Sequence, residues 1–163
     1  MSTIAILASF LITTPVQAAT PNWNVSGTYV VNVNYLGVDY PETLVLNQVG
    51  SAITSGSIEL VGGGSPWTID SGLVSGNDIS FDGFFNSSPT LRIHLTGTIS
   101  GNGAMSGNWN DVAPNTRVGT WATTQGVAQP MNKDLCKDGG WKNFTNPTYK
   151  NQGQCVSAMV HNN

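Results

Sequence analysis

The sequence predicts a mainly β protein, built as an antiparallel up-and-down barrel or sandwich of about eight strands. A small helical module, held by a disulfide, is expected at its C-terminus. Three observations support this fold class. Apolar and polar residues alternate with a period of two, short turn-forming clusters separate the alternating segments, and the composition changes after Pro130, where both cysteines of the chain lie.

The alternation is clearest in two segments. In the first, Val25, Tyr29, Val31, Val33 and Tyr35 share one face. In the second, Leu91, Ile93 and Leu95 alternate with Arg92, His94 and Thr96. This two-residue period is typical of a strand with one buried face. Further β-like runs are Thr43–Val49, Ile53–Val61, Trp67–Asp70, Leu73–Phe81, Ala104–Asn110 and Arg117–Thr123.

The connections between these runs favour an up-and-down order. They are clusters of Gly, Ser, Asn and Pro, such as Gly62–Pro66, Ser75–Asp78 and Ser100–Gly103. Greek-key topologies need some long crossings, which this sequence does not offer. A barrel would also remove the exposed strand edges that a secreted β protein has to protect.

Two segments resemble known barrels. Asn24-Val-Ser-Gly-Thr-Tyr29 and Arg117-Val-Gly-Thr-Trp121 are similar to the Gly-Thr-aromatic repeats that bracket lipocalin-like and avidin-like barrels, and Ser106-Gly-Asn-Trp109 is similar again. The resemblance covers residues 23–125. It implies that Tyr29, Trp109 and Trp121 are core residues that close the ends of the barrel, rather than ligand contacts.

The N-terminal segment has the pattern of a signal peptide. Residues 4–12 are apolar except for Ser9, and Val16 and Ala18 are small residues in the positions that a signal peptidase reads. The run is shorter than the ~20 residues of a spanning helix. We therefore expect a signal peptide at 1–18, a β domain at 19–128 and a C-terminal module at 129–163. The mature protein would be secreted or at the cell surface, without a membrane span.

The C-terminal module contains two candidate helices. Asn132 could cap one that runs to Lys137 and ends at Gly139-Gly140, and Asn151 could cap a second. Cys136 and Cys155 fall one in each helix. In a secreted chain such a pair predicts a disulfide, which for this loop length is worth roughly 3 kcal/mol.

This module resembles a short C-terminal element of secreted bacterial proteins of unknown function. The matching residues are Cys136-Lys-Asp-Gly-Gly-Trp-Lys-Asn-Phe144 and Tyr149-Lys-Asn-Gln-Gly-Gln-Cys-Val156. The resemblance covers about 25 residues. The two elements keep their spacing within it. It implies secretion and a disulfide, and it implies no activity.

No catalytic set is recognisable, so we predict a protein without enzymatic activity, cofactor or metal. His94 lacks a Gly-x-Ser-x-Gly elbow to accompany it and is expected on the polar face of its strand. The net charge of −3 gives no indication of nucleic-acid binding. A glycan-active hydrolase is a remote alternative, resting on scattered carboxylates: Asp70, Asp78, Asp82 and Asp111.

The leading hypothesis is a secreted binding or interaction protein with an unknown extracellular ligand or surface partner. Trp67 follows a Gly-rich loop and could stand at a barrel mouth, and Phe84 and Phe85 flank a turn-like Asp-Gly pair in the same way. These three aromatic residues are the candidate ligand contacts; the alternative is that they belong to the core. The alternative function is a structural or surface-associated protein, such as an adhesion or coat component.

Overall fold

The protein is a closed, eight-stranded antiparallel barrel with a short helical module at one end. The computed structural model describes residues 19–63, 66–112, 116–144 and 147–160. The signal peptide expected at 1–18 lies outside these residues. The strands are β1 (Trp23–Asn24), β2 (Gly27–Tyr35), β3 (Val38–Val49), β4 (Ala52–Leu60), β5 (Trp67–Ser75), β6 (Asp78–Phe85), β7 (Ser88–Ile99), β8 (Met105–Val112), β9 (Val118–Gln125) and β10 (Gln129–Pro130).

Each barrel strand pairs with its neighbours in sequence, and the barrel closes where β2 pairs with β9. The closing register runs from Val30 opposite Gln125 to Asn34 opposite Thr120. The predicted up-and-down barrel is thus confirmed. One predicted run, Leu73–Phe81, is divided in the structure, because a turn at Gly76 and Asn77 separates the end of β5 from the start of β6.

The centre of the barrel is filled by aromatic side chains. Tyr29 and Trp121 are buried, as the resemblance implied. The rings of Phe81 and Trp121 pack edge to face, with their centroids 5.6 Å apart. The Trp121 indole N–H donates to the carbonyl oxygen of Thr96. Gly97 leaves the space for this indole, since a Cβ there would lie 2.9 Å from the Trp121 ring. Above and below this layer, the two ends of the barrel differ.

One end is closed, and we call it the plugged end. The turns of the hairpins β3–β4, β5–β6 and β7–β8 lie at this end. The short strands β1 and β10, which precede β2 and follow β9, pair with each other here. Trp23 is 1% exposed, donates its indole N–H to Asn77 at 2.9 Å and packs edge to face on Phe144 at 5.7 Å. Gln48 bridges the same region: its side chain accepts from the Val25 amide and donates to the Trp23 carbonyl.

The C-terminal module covers this end. It consists of two 3₁₀ helices, Lys133–Cys136 and Gly140–Asn143, and the α-helix α1 (Gln152–Val160). Asn132 and Asn151 cap their helices as predicted, accepting from the amides of Asp134 and Gln154. The first helix is 3₁₀ rather than α, because it spans only four residues and Lys137 after it is extended.

The predicted disulfide is present between Cys136 and Cys155, whose Cα atoms lie 5.7 Å apart. Both cysteines are fully buried, and with Phe144 and Met159 they belong to the same hydrophobic cluster as the barrel core. β10 lies beyond the expected domain boundary at residue 128 and pairs with β1. Among the described residues no helix has the length and apolar character needed to cross a membrane.

Candidate functional site

The opposite end of the barrel, which we call the mouth, holds a cavity of about 160 Å³. The strands β2, β4, β6 and β8 end at the mouth, and β3, β5, β7 and β9 begin there. The cavity is lined by inward-facing residues of the strands near the mouth, and the buried Tyr29 and Trp121 are not part of its lining. A partly open space of this kind, in a barrel mouth, is a typical place for a ligand.

The cavity wall is mostly apolar because the inward-facing positions of the strands continue their alternation up to the mouth. Four aliphatic side chains contribute: Val33, Ile58, Ile93 and Leu95. Four aromatic side chains complete the wall: Tyr35, Tyr40, Trp67 and Trp109. The ring centroids of Tyr35 and Trp109 lie 5.8 Å apart, and the Trp109 indole N–H donates to the Asn34 carbonyl oxygen at 3.1 Å. These contacts hold the two rings in the cavity wall.

Three charged residues also line the cavity, and two of them neutralise each other. Asp111 is buried, and its carboxylate accepts from Arg117 Nε at 2.6 Å and from a terminal guanidinium nitrogen at 3.3 Å. The hydrogen bond with Asp111 raises the pKa of Arg117. The two residues face each other across the β8–β9 connection, where the Asp111 amide donates to the Arg117 carbonyl at 2.9 Å. This pair therefore adds polarity to the wall without adding net charge.

The third charged residue is Glu42, and it stands apart. It occupies an inward position of β3, in phase with Leu44 and Leu46, both of which are buried in the core. Among the described residues its carboxylate has no hydrogen-bond or salt-bridge partner. Burial raises the pKa of Glu42 from 4.5 to about 7. A carboxylate in an apolar cavity, without a donor, is an unusual feature for a core position.

The three aromatic residues predicted to contact a ligand are placed differently. Trp67 lines the cavity, as the position after the Gly-rich loop indicated. Phe85 supports it, with its ring 5.2 Å from that of Trp67. Phe84 alternates with Phe85 and pairs in register with Thr68 and Arg92, on the outer face of the barrel, and it does not line the cavity.

Sequence reasoning missed several residues of this site. Trp109 was expected as a core residue; it packs against the core cluster and also lines the cavity, because β8 carries it towards the mouth. Glu42 was not singled out, and Asp111 was named only among the scattered carboxylates. Both fall at positions whose neighbours two residues away are inward-facing, Leu44 and Trp109. An acidic residue in phase with core residues is the signal that could have identified both.

The other chemically interesting side chains lie elsewhere. On the outer wall, His94 Nδ1 is 2.8 Å from Asp82, and Arg92 contacts Asp70 at 2.9 Å. Asp78 begins β6 at the plugged end, so the scattered carboxylates do not converge with Asp111. Within the described ranges, no group of three or more His, Cys, Asp or Glu residues is arranged to hold a metal ion.

The rim of the mouth is apolar and exposed. Of the large apolar side chains exposed among the described residues, most belong to this end: Leu36, Val38, Tyr40, Leu60, Val61, Val112 and Val118. Leu36 is 83% exposed and has a φ of 53°, in a tight turn where Asn or Gly is usual. A cluster of exposed apolar residues around a cavity is typical of a contact surface.

Two depressions on the outer wall are larger but open, and Ser, Thr and Asn residues predominate in their lining. The mouth cavity is the better candidate because it is less open and its wall is mostly apolar. Comparisons of the chain with protein-family models, with curated proteins and with solved structures gave no significant match.

Proposed function

We propose that the protein binds a small ligand whose apolar group enters the mouth cavity. The observation that carries this proposal is the cavity itself: eight apolar or aromatic side chains line a space of about 160 Å³ at the mouth, next to a barrel centre of buried side chains. Protein interiors are normally packed without such voids. A space left at the accessible end of an otherwise filled barrel therefore favours a binding role over a purely structural one.

The volume limits what can enter. A cavity of about 150 Å³ accommodates a molecule of the size of benzene. The mouth would thus take a single ring or a short branched alkyl group, and the rest of a longer ligand would lie against the exposed rim. Drug-sized ligands usually need about 300–1,000 Å³. The proposed ligand is accordingly a small molecule, or the apolar end of a larger one.

The proposed place of action is outside the cytoplasm. The Cys136–Cys155 disulfide supports this, since such bonds persist in oxidising compartments. Export with cleavage after Ala18 would leave a mature chain that begins near Ala19 or Thr20. Intact-mass analysis of exported material tests this directly, and a mass that still includes residues 1–18 would contradict it.

A cavity-filling variant tests the binding proposal. Val33→Phe places a ring in the cavity, whereas Val30→Phe, three residues earlier on β2 and on the outer face, is a matched control. Titration with 2-phenylethanol, followed by tryptophan fluorescence, should show saturable binding to the parent and to Val30→Phe. Val33→Phe should lose it. Absence of saturable binding to the parent, or equal binding by Val33→Phe, would contradict the proposal.

The apolar rim favours a second candidate function, attachment to an apolar surface or partner, as in a surface-associated protein. Light scattering of the purified protein tests self-association through this rim. Leu36→Asn should lower any assembly, because it removes the most exposed apolar side chain of the mouth. Val49→Asn changes a residue that is 70% exposed at the plugged end and serves as the control. A strict monomer in both variants and in the parent would remove the support for self-assembly.

A further inference from the structure

The charge balance of the mouth cavity indicates the kind of ligand that fits it. Asp111 and Arg117 form a two-point ion pair, so their charges cancel within the wall. Glu42 has no such partner among the described residues, and its neighbours in register, Val31 and Leu60, are apolar. The ionised cavity therefore carries one uncompensated negative charge.

An uncompensated carboxylate in an apolar cavity is costly unless a ligand supplies the missing charge. Burial already raises the pKa of Glu42 to about 7, which is the direction expected of a carboxylate without a compensating cation. The other titratable or charged groups that line the cavity are Asp111, Arg117, Tyr35 and Tyr40. None of them offers Glu42 a hydrogen bond.

The rest of the wall suits an organic cation. Four aromatic side chains line the same cavity as Glu42: Tyr35, Tyr40, Trp67 and Trp109. Aromatic rings attract ammonium groups through their π faces, and the attraction is stronger where water is excluded. A carboxylate together with several aromatic rings is the usual composition of a site for an amine with an apolar body.

We propose that the ligand is a small organic cation, an ammonium group on a single ring or short alkyl body, and that Glu42 binds the ammonium group among the aromatic side chains of the mouth. This inference rests on the proposed function and specifies its ligand class. An anionic ligand would meet the carboxylate with like charge. A neutral ligand would leave it unpaired above neutral pH.

The test compares two ligands of nearly equal size and shape, 2-phenylethylamine and 2-phenylethanol, by titration calorimetry at about pH 8.5, where Glu42 is ionised. The amine is expected to bind at least ~10-fold more tightly than the alcohol, since a charge-assisted contact to a buried partner is worth that factor or more. In Glu42→Gln the two ligands should bind within ~2-fold of each other, while the affinity for the alcohol is retained.

Two controls keep the outcomes separate. Glu59→Gln alters the other glutamate of the chain, which is exposed on β4, and should preserve the preference for the amine. For the unaltered protein, amine affinity should fall between about pH 8.5 and pH 5.5, because protonation of Glu42 then competes with the ligand. Alcohol affinity should change little.

The results distinguish this inference from the proposed function. Equal binding of amine and alcohol to the unaltered protein would overturn the cation proposal and leave ligand binding in place. A preference for the amine that persists in Glu42→Gln would overturn the role of Glu42. If neither ligand binds, the cation proposal and the proposed function fail together.

Discussion

The two ends of the barrel are built from the same alternating strands but differ in how completely their groups are satisfied. At the plugged end, Trp23 is buried, its indole N–H has a partner in Asn77, and Gln48 connects three backbone groups. At the mouth, the same barrel leaves a cavity, an apolar rim and a carboxylate, Glu42, that has no partner among the described residues.

This contrast separates an end of the barrel that is built for stability from an end that has the features of a functional site. Filling a cavity, pairing a carboxylate and replacing exposed apolar residues each raise stability in ordinary proteins. The plugged end shows that this chain achieves such packing, with a disulfide in addition. Features that cost stability and are concentrated at one end are typical of a functional site.

The largest expected effect is the loss of Trp23. Trp23→Ala should lower the free energy of unfolding by about 3–5 kcal/mol, because it removes a fully buried indole and leaves Asn77 without its donor. Trp67→Ala, at the half-buried cavity wall, should cost less than half as much. Urea unfolding of both variants checks this. Equal losses would mean that the two ends are packed alike.

The next effect concerns the disulfide. Cys136→Ser with Cys155→Ser should lower stability by roughly 3 kcal/mol and open the C-terminal module, while the barrel strands keep their amide protection. Hydrogen exchange with limited proteolysis is the measurement, with a protected fragment ending near Pro130. Uniform loss of amide protection in the barrel and the C-terminal module would instead show that the two unfold as one unit. The contact of Trp23 with Phe144 would then couple them.

Glu42 gives a smaller, pH-dependent effect. Its folded pKa of about 7 lies above the ordinary 4.5, so the folded state holds the proton more tightly and stability falls as pH rises from 4.5 to 7. Glu42→Gln should therefore raise the melting temperature at about pH 8.5, by a few degrees for the ~1–2 kcal/mol left after solvent screening. At about pH 4 the two proteins should melt together. An increase that is the same at both pH values would exclude the carboxylate as its cause.

The smallest effect is expected from enlarging a residue at the cavity. Val33→Phe should change the free energy of unfolding by less than about 1 kcal/mol, because the ring enters empty space. Val31→Phe, one inward position deeper on the same strand where only 2% of the residue is exposed, should cost about 1–3 kcal/mol. Thermal unfolding of the pair compares cavity with core. A cost at Val33 as large as that at Val31 would show that the cavity is not available.

The sequence predicted the architecture more fully than the site. Alternation, short turns, capping residues and a cysteine pair can be read from the local sequence, so the strands, the helix caps and the disulfide could be predicted. The position of a residue along the barrel axis depends on register between distant strands, as between β2 and β9. For this reason the place of Trp109 in the cavity wall, the absence of Phe84 from that wall and the inward position of Glu42 could not be predicted.

The central claim is that the mouth binds the ligand and the plugged end serves stability. The most direct test of this claim uses the five tryptophans of the chain. Trp67 and Trp109 line the cavity, Trp121 lies at the centre, Trp23 lies at the plugged end, and Trp141 belongs to the module. Their indole N–H signals, assigned through single Trp→Phe variants, can be followed by ¹H–¹⁵N NMR during titration with 2-phenylethylamine. Saturable shifts of Trp67 and Trp109, with Trp23 and Trp141 unmoved, are the predicted result. Shifts confined to Trp23 and Trp141, or no saturable shift at any indole, would contradict the account.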